Sequence, residues 1–317
     1  MKRILALTAL LLTLTSCSTN KAALTLVAHD SFVISDELIA KYEKESGNKL
    51  TVVRAGDVGA MTSKLVLTKD SPIGDVVYGI DNTFAPVAKK NNVIDGDLVA
   101  IDYADVCFNV DLNYFKLHKL NIPKHWNELT KSEYKNLTVI ENPNTSSTGL
   151  ALLASTYAYF DQPKTWWLEL KNNGVKVAAS WEDAYYADFS GSSGKGNYPI
   201  VLSYSSSPAD EVNTDGTPRT QSMSNDCFRQ TEYAGILSNS KNTGAAKSLI
   251  DFLKGVDFQS AMPTSMYVYP VNPDAKLPEA WQRNAKPAVT TIGENLDIQA
   301  NRDSWLADFN WVFDVAP

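Results

Sequence analysis

Apolar residues along the chain fall into short blocks separated by polar turns, and the blocks alternate between strand-like and helix-like periods. Ala23 to Ala28 reads as a buried strand. Ser35 to Ser46 has helical spacing, opened by Ser35-Asp36 and closed by Gly47, a start and stop pair typical of a capped helix. Leu50 to Val53 forms a second strand ended by Ala55-Gly56-Asp57, Val58 to Thr68 a helix, Asp75 to Tyr78 a third strand and Thr83 to Asn91 another helix. The same grammar returns later. Val139-Ile140 is a strand, Gly149 to Phe160 a helix, Val175 to Val177 a strand, Trp181 to Phe189 a helix and Ile200 to Tyr204 a strand. This order predicts an α/β protein of two lobes, with mostly parallel sheets flanked by helices. Strand-like stretches at Asp105 to Val110 and Asp226 to Arg229 are the candidate crossings between lobes. In open α/β sheets ligands sit beyond the carboxyl ends of strands, so the residues that follow each strand carry the functional question.

Composition narrows that question. A chain of 317 residues has room for two domains and a core that needs neither metal nor disulfides. Its net charge of −7, with no basic run, argues against nucleic-acid binding, which needs clustered Lys and Arg. No CxxC, HExxH, GxGxxG or GxxxxGKS pattern occurs, so neither a cofactor nor a metal is expected.

At the N-terminus, Lys2 and Arg3 precede an apolar run from Ile4 to Leu14 and then Thr15-Ser16-Cys17. These are the parts of a secretory signal peptide, and the run falls short of the roughly 20 residues that span a bilayer. Leu14 to Cys17 resembles the bacterial lipobox. The expectation is a leader over 1–16, an acylated Cys17, a polar tether over 17–23, and an exported protein that is periplasmic or lipid-anchored on the extracytoplasmic face. Cys107 and Cys227 then remain, either as one disulfide or as two buried thiols.

The strand ends carry a distinctive set of side chains. His29-Asp30-Ser31 follows the first strand, Asp57 the second and Asp81-Asn82 the third, while Asn142 to Gly149, Trp181 and Tyr204 to Pro208 follow strands of the second lobe. Tyr267 and Tyr269 lie in a later turn. Aromatic faces attract a cation and carboxylates compensate its charge, so the set fits a flat cationic ligand. The Asn144-Thr145-Ser146-Ser147 turn ahead of a helix offers hydroxyls and backbone N–H groups to a phosphate or another acceptor. Each residue also has an ordinary reading: Asp57 or Ser146 as a helix cap, Trp181 as core. By themselves the residues specify a ligand cleft of unstated chemistry.

The motifs LxxxxHDSF, AGD, GIDNT, NPNTSSTGLALL, SWEDAY, VLSYSSSPAD and MPTSMYVYPV, in that order, resemble the thiamine-binding proteins of bacterial ABC importers. The resemblance implies a class II, two-lobed periplasmic-binding-protein fold closing by hinge bending, with lobe 1 over 24–106 and 227–272 and lobe 2 over 107–226 and 273–317. It implies a monomer that captures thiamine or its mono- or diphosphate and delivers it to a permease and ATPase, touching the membrane through its lipid anchor only. Carried over by motif, Asp57 meets the cationic ligand and Val58 offers backbone contact. Ser146 and Ser147 hold a phosphate, Trp181 and Tyr204 pack on the ligand, and Ser205, Ser206 and Ser207 line the same loop. His29, Asp210 and Tyr267 stand at binding positions where the family shows other residues, a Tyr, an aromatic and a Trp. A ferric-ion binder, suggested by His29 and the Tyr185-Tyr186 pair, and a polyamine binder are the rival readings. No GxSxG elbow occurs, and His118 and His125 sit in a polar segment, so binding rather than catalysis is expected.

Overall fold

The computed structural model describes residues 22–193, 195–293 and 295–314; Cys17 and the leader lie outside them. Strands β1 (Ala23–Ala28), β2 (Lys49–Arg54) and β3 (Val76–Asp81) alternate with helices α1 (Asp36–Ser46), α2 (Val58–Leu67) and α3 (Ala85–Lys90). The caps of α1 act as their residue types demand. Ser35 Oγ accepts from the Leu38 N–H at 3.3 Å, and Gly47 takes a left-handed φ of 73° while its N–H returns to the Glu43 carbonyl. A long strand, β4 (Ile94–Asp111), leads through α4 (Leu112–His118) into β5 (Thr138–Glu141), α5 (Ser147–Tyr159), α6 (Pro163–Asn172) and β6 (Lys176–Ala178). A π-helical turn over Asp183–Asp188, the short α7 (Ser190–Ser193), β7 (Ile200–Tyr204) and a 3₁₀ turn over Ser207–Ala209 follow. The chain then returns through β8 (Thr220–Ser222), β9 (Phe228–Leu237), α8 (Thr243–Leu253), α9 (Val256–Met266), β10 (Tyr269–Pro270), α10 (Glu279–Asn284) and α11 (Ile298–Phe313).

The strands order as β2-β1-β3-β9-β4-β7-β5-β6. β1 runs parallel to β2 and β3, and β5 parallel to β6 and β7, as a βαβ order requires. The centre is different. β9 is antiparallel to both β3 and β4, and β4 is antiparallel to β7, so two long strands run back to back through both halves of the sheet. The stretches around Cys107 and Cys227 belong to this pair. The two cysteines form a disulfide with Cα atoms 4.7 Å apart, one register step from the Val106–Phe228 partners.

Helices cover both faces. The first ten residues of α5 are buried, as befits a helix that is apolar or small on every side. α11 closes over it and α6, with Trp305 stacked on Tyr157 at 5.1 Å and Phe309 edge-on to Trp167 at 5.2 Å. α8 and α9 pack instead on the first half, through Phe252 against Tyr42 and Phe258 against Phe32. Among the described residues no helix is long and apolar enough to cross a membrane.

Candidate ligand-binding site

Two sets of strand ends face each other across the molecule. On one side, His29 and Ser31 follow β1, and Asp57 and Val58 open α2 after β2. The register of β3 shifts between Tyr78 and Ile80, where Gly79 adopts a φ of 94°; a Cβ there would lie 2.1 Å from His29 Cδ2, so glycine at this position leaves the room that the His29 ring occupies. On the other side stand Ser147 and Thr148 at the start of α5, Trp181 after β6 and Tyr204 at the end of β7. Glu232 of β9 lies beneath, with Met266 and Val268. The space enclosed is about 20 Å³, enough for one water and far below the size of an organic ligand site. The cleft is therefore shut, and entry requires the two sides to part.

Direct bonds hold it shut. Asp57 Oδ1 accepts from the Val58 N–H at 2.6 Å, capping α2, while Oδ2 accepts from the Trp181 N–H at 2.9 Å on the opposite side. The N–H groups of Gly59 and Ala60 both donate to the Thr145 carbonyl, at 2.9 and 3.1 Å. Gln230 donates to Ser147 Oγ at 3.1 Å, and Ser206 to the Tyr267 carbonyl. Trp181 is fixed by its indole N–H, which donates to Ser203 Oγ at 3.1 Å, and by stacking on Tyr185 at 4.9 Å.

The site is strongly acidic. His29 Nε2 lies 3.4 Å from Glu232 Oε2. Burial works against its protonation, yet Glu232, Asp57 and Asp30 together outweigh burial and raise its pKa. Burial raises Asp57, which the Trp181 and Val58 N–H groups and Ser146 partly offset. Burial pushes Asp81 up to about 7, with Glu232 adding to the effect and hydrogen bonds from Thr83 and Phe84 limiting it. Asp102, which accepts from the Tyr78 hydroxyl, and Glu141, which accepts from Thr148, are held well above the carboxylate range, mainly by burial. Burial, then Glu232, Asp57, Asp81 and Asp102, drive the Tyr204 phenol far upward. Such a site lowers its own electrostatic cost by taking up a cation.

Of the residues singled out in the sequence, His29, Asp57, Val58, Ser147, Trp181 and Tyr204 line this cavity. Ser146 occupies the N-cap position of α5 without capping it; its Oγ pairs with Thr148 Oγ1 at 3.0 Å, and it works against the upward shift of Asp57. Ser206 and Ser207 brace the loop, the latter through Ser203 at 2.9 Å. Ser205 lines a different pocket. Asp210, pushed up to about 6 by burial and Glu211, lies beside Tyr267 outside the cavity. Tyr267 joins the aromatic cluster of Trp181, Tyr185 and Tyr186 behind it. Tyr185 is thus committed to packing, donating to Glu211 with its phenol driven upward by burial, the reverse of a phenolate ligand, while Tyr186 is exposed. Among the described residues no group of three His, Cys, Asp or Glu side chains is arranged to hold a metal. Glu232 was not anticipated, although Gln230 and Glu232 on the inward register of β9 break its apolar alternation and mark a polar interior.

Over 309 residues the chain is 28% identical to the thiamine-binding periplasmic protein of Escherichia coli strain K12, covering 91% of this chain and 93% of that one. A solved structure of a periplasmic thiamin binding protein superposes with a TM-score of 0.80 at 25% identity, covering 95% of this chain and 98% of that one. The ferric binding protein from Campylobacter jejuni shares the fold, with a TM-score of 0.72 at 16% identity over 91% of this chain and 99% of its own. A family model described as bacterial extracellular solute-binding protein matches residues 75–289, two thirds of the chain, and the protein belongs to that family.

Proposed function

We propose that this chain is the capture component of an ABC importer for thiamine. The observation that carries the reading is the shut cavity in which Asp57, Glu232 and the His29 ring meet Trp181 and Tyr204. A flat cation with a polar ring needs those groups: carboxylates for charge, aromatic faces for stacking, and hydrogen-bonding atoms for the ring edge. The likeness to thiamine-binding relatives along nearly the whole chain supports the same reading. In this reading the halves pivot where β4 and β9 run through the sheet, near Asp105, whose carboxylate pairs with Arg229. Ligand binding shifts the population from open to closed, and the closed form docks on a permease and its ATPase.

The charge balance favours free thiamine over its phosphates. Asp57 and Glu232 line the cavity, and among the described residues His29 is the one lining residue able to carry positive charge. Added phosphate would meet like charge in a poorly solvated place. We further propose export, a monomeric state, a binding rather than a catalytic role, and anchoring through Cys17. Loss of membrane association in Cys17→Ala tests the anchor.

Tryptophan-fluorescence titration with thiamine, its two phosphates, spermidine and ferric citrate in parallel tests the class of ligand. Saturable quenching by thiamine is expected, since Trp181 lines the cavity. Saturation by spermidine or ferric citrate with silence from all thiamine compounds would overturn the reading.

A further inference from the structure

Ser205 follows Tyr204 directly, yet it lines a separate pocket of about 360 Å³ and not the cleft. The walls are the 3₁₀ turn over Ser207–Ala209, strand β8 and helix α10. We propose that this pocket binds a small oxyanion, with phosphate as the chemical type.

Three hydroxyls carry the argument. Ser205 and Thr220 are each 1% exposed, and with Ser222 they line the pocket. Ser205 Oγ, Thr220 Oγ1 and Ser222 Oγ are all buried without a hydrogen-bond partner among the described residues. A buried hydroxyl left unbonded is costly, and three in one pocket call for an acceptor that takes several donors at once. A tetrahedral oxyanion is such an acceptor.

Charge points the same way. Arg283 and Lys286 line the pocket, and no Asp or Glu among the described residues does so, in a chain whose net charge is −7. Arg283 also pairs with Glu279 through Nη1, which leaves other guanidinium donors for a second partner. None of the lining residues is shared with the cleft that holds Asp57 and Trp181, so this proposal stands apart from the thiamine reading.

Calorimetric titration of the whole protein with inorganic phosphate tests it, using wild type, Arg283→Gln, Thr220→Val and Ser147→Ala. Saturable binding at one site is expected, weakened about tenfold or more by Arg283→Gln and by Thr220→Val, as loss of a charge-assisted or buried donor implies. Ser147→Ala, which alters the cleft, should leave it unchanged. Absence of saturable phosphate binding in the wild type overturns the proposal. So does binding that survives Arg283→Gln but is lost in Ser147→Ala, which would place the anion in the cleft. Arg283 is half exposed, so its variant tests the idea even where Thr220→Val fails to fold.

Discussion

The Asp57 carboxylate accepts a hydrogen bond from the backbone N–H of Trp181 at 2.9 Å, across 124 residues of chain. One side chain thus caps α2, faces the cavity and fastens the opposite half of the molecule. Helix capping and closure meet at this carboxylate.

Asp57→Asn separates the two roles. The amide keeps one acceptor oxygen and loses the charge, so affinity for a cationic ligand should fall by about 1.5–3 kcal/mol, the range for a hydrogen bond to a charged group. A neutral thiamine analogue should lose much less. Parallel calorimetric titrations check this, and equal losses for both ligands would remove Asp57 from charge recognition.

Gly59 is the second contact that depends on close approach. A Cβ on Gly59 would lie 2.7 Å from the Thr145 carbonyl group, the one its own N–H meets at 2.9 Å. Gly59 lies inside α2, where Ala is the better helix former by about 1 kcal/mol. Yet a Cβ there would also lie 2.8 Å from Cζ of the buried Phe84, so Gly59→Ala is expected to lower thermal stability as well as to weaken ligand binding at least tenfold. Small-angle scattering with saturating ligand should show a more extended particle than the wild type; an unchanged affinity and radius would contradict the role.

Acidity should govern both stability and binding. The folded Asp81 carboxyl sits at about 7, above its value of about 4 in an unfolded chain. The stability that this shift contributes is fully present below about pH 4 and is lost as pH rises through 7. Asp57, Asp102 and Glu141 shift in the same direction, as does His29, whose raised pKa also gives stability that is lost as pH rises. The unliganded protein should melt at a higher temperature at pH 6 than at pH 8. A bound cation favours the ionised carboxylates, so binding should release protons near pH 7 and tighten as pH rises. Calorimetry in two buffers of different ionisation heat counts those protons; uptake instead of release would refute the assignment.

The disulfide between Cys107 and Cys227 joins residues separated by 120 positions. Constraint of so long a loop in the unfolded chain stabilises by up to about 5 kcal/mol in the loop-entropy model, and removal typically costs about 2–5 kcal/mol. Urea unfolding of the Cys107→Ser/Cys227→Ser protein should show a lower midpoint. Coincident curves would mean that the β4–β9 pairing alone constrains the crossing.

Much of the first half was legible because local signals agree with the fold there. Ser35 and Gly47 both cap α1, β1 is a plain apolar run, and Asp57 sits where strand end and helix start coincide. The middle was less legible. β4 is exposed or half-buried over its first seven residues, so its 18 residues showed only as the short buried stretch near Cys107. α8 and α10 follow Asn242 and Pro278, and neither residue makes a side-chain cap bond. The serines after β7 read in sequence as one lining, but successive side chains leaving a strand point in different directions. Tyr204 accordingly faces the cleft and Ser205 the pocket behind it. Glu232 escaped notice because its role depends on pairing β9 with β3, a contact between distant parts of the chain.

The most direct test of the central claim is calorimetric titration of the protein with thiamine and with thiamine diphosphate at the same pH and salt. An acidic cleft that closes on an unphosphorylated cation predicts saturable binding of thiamine at one site per chain, with the diphosphate weaker by about tenfold or more from like-charge opposition. Tighter binding of the diphosphate, or no binding of thiamine, would contradict it.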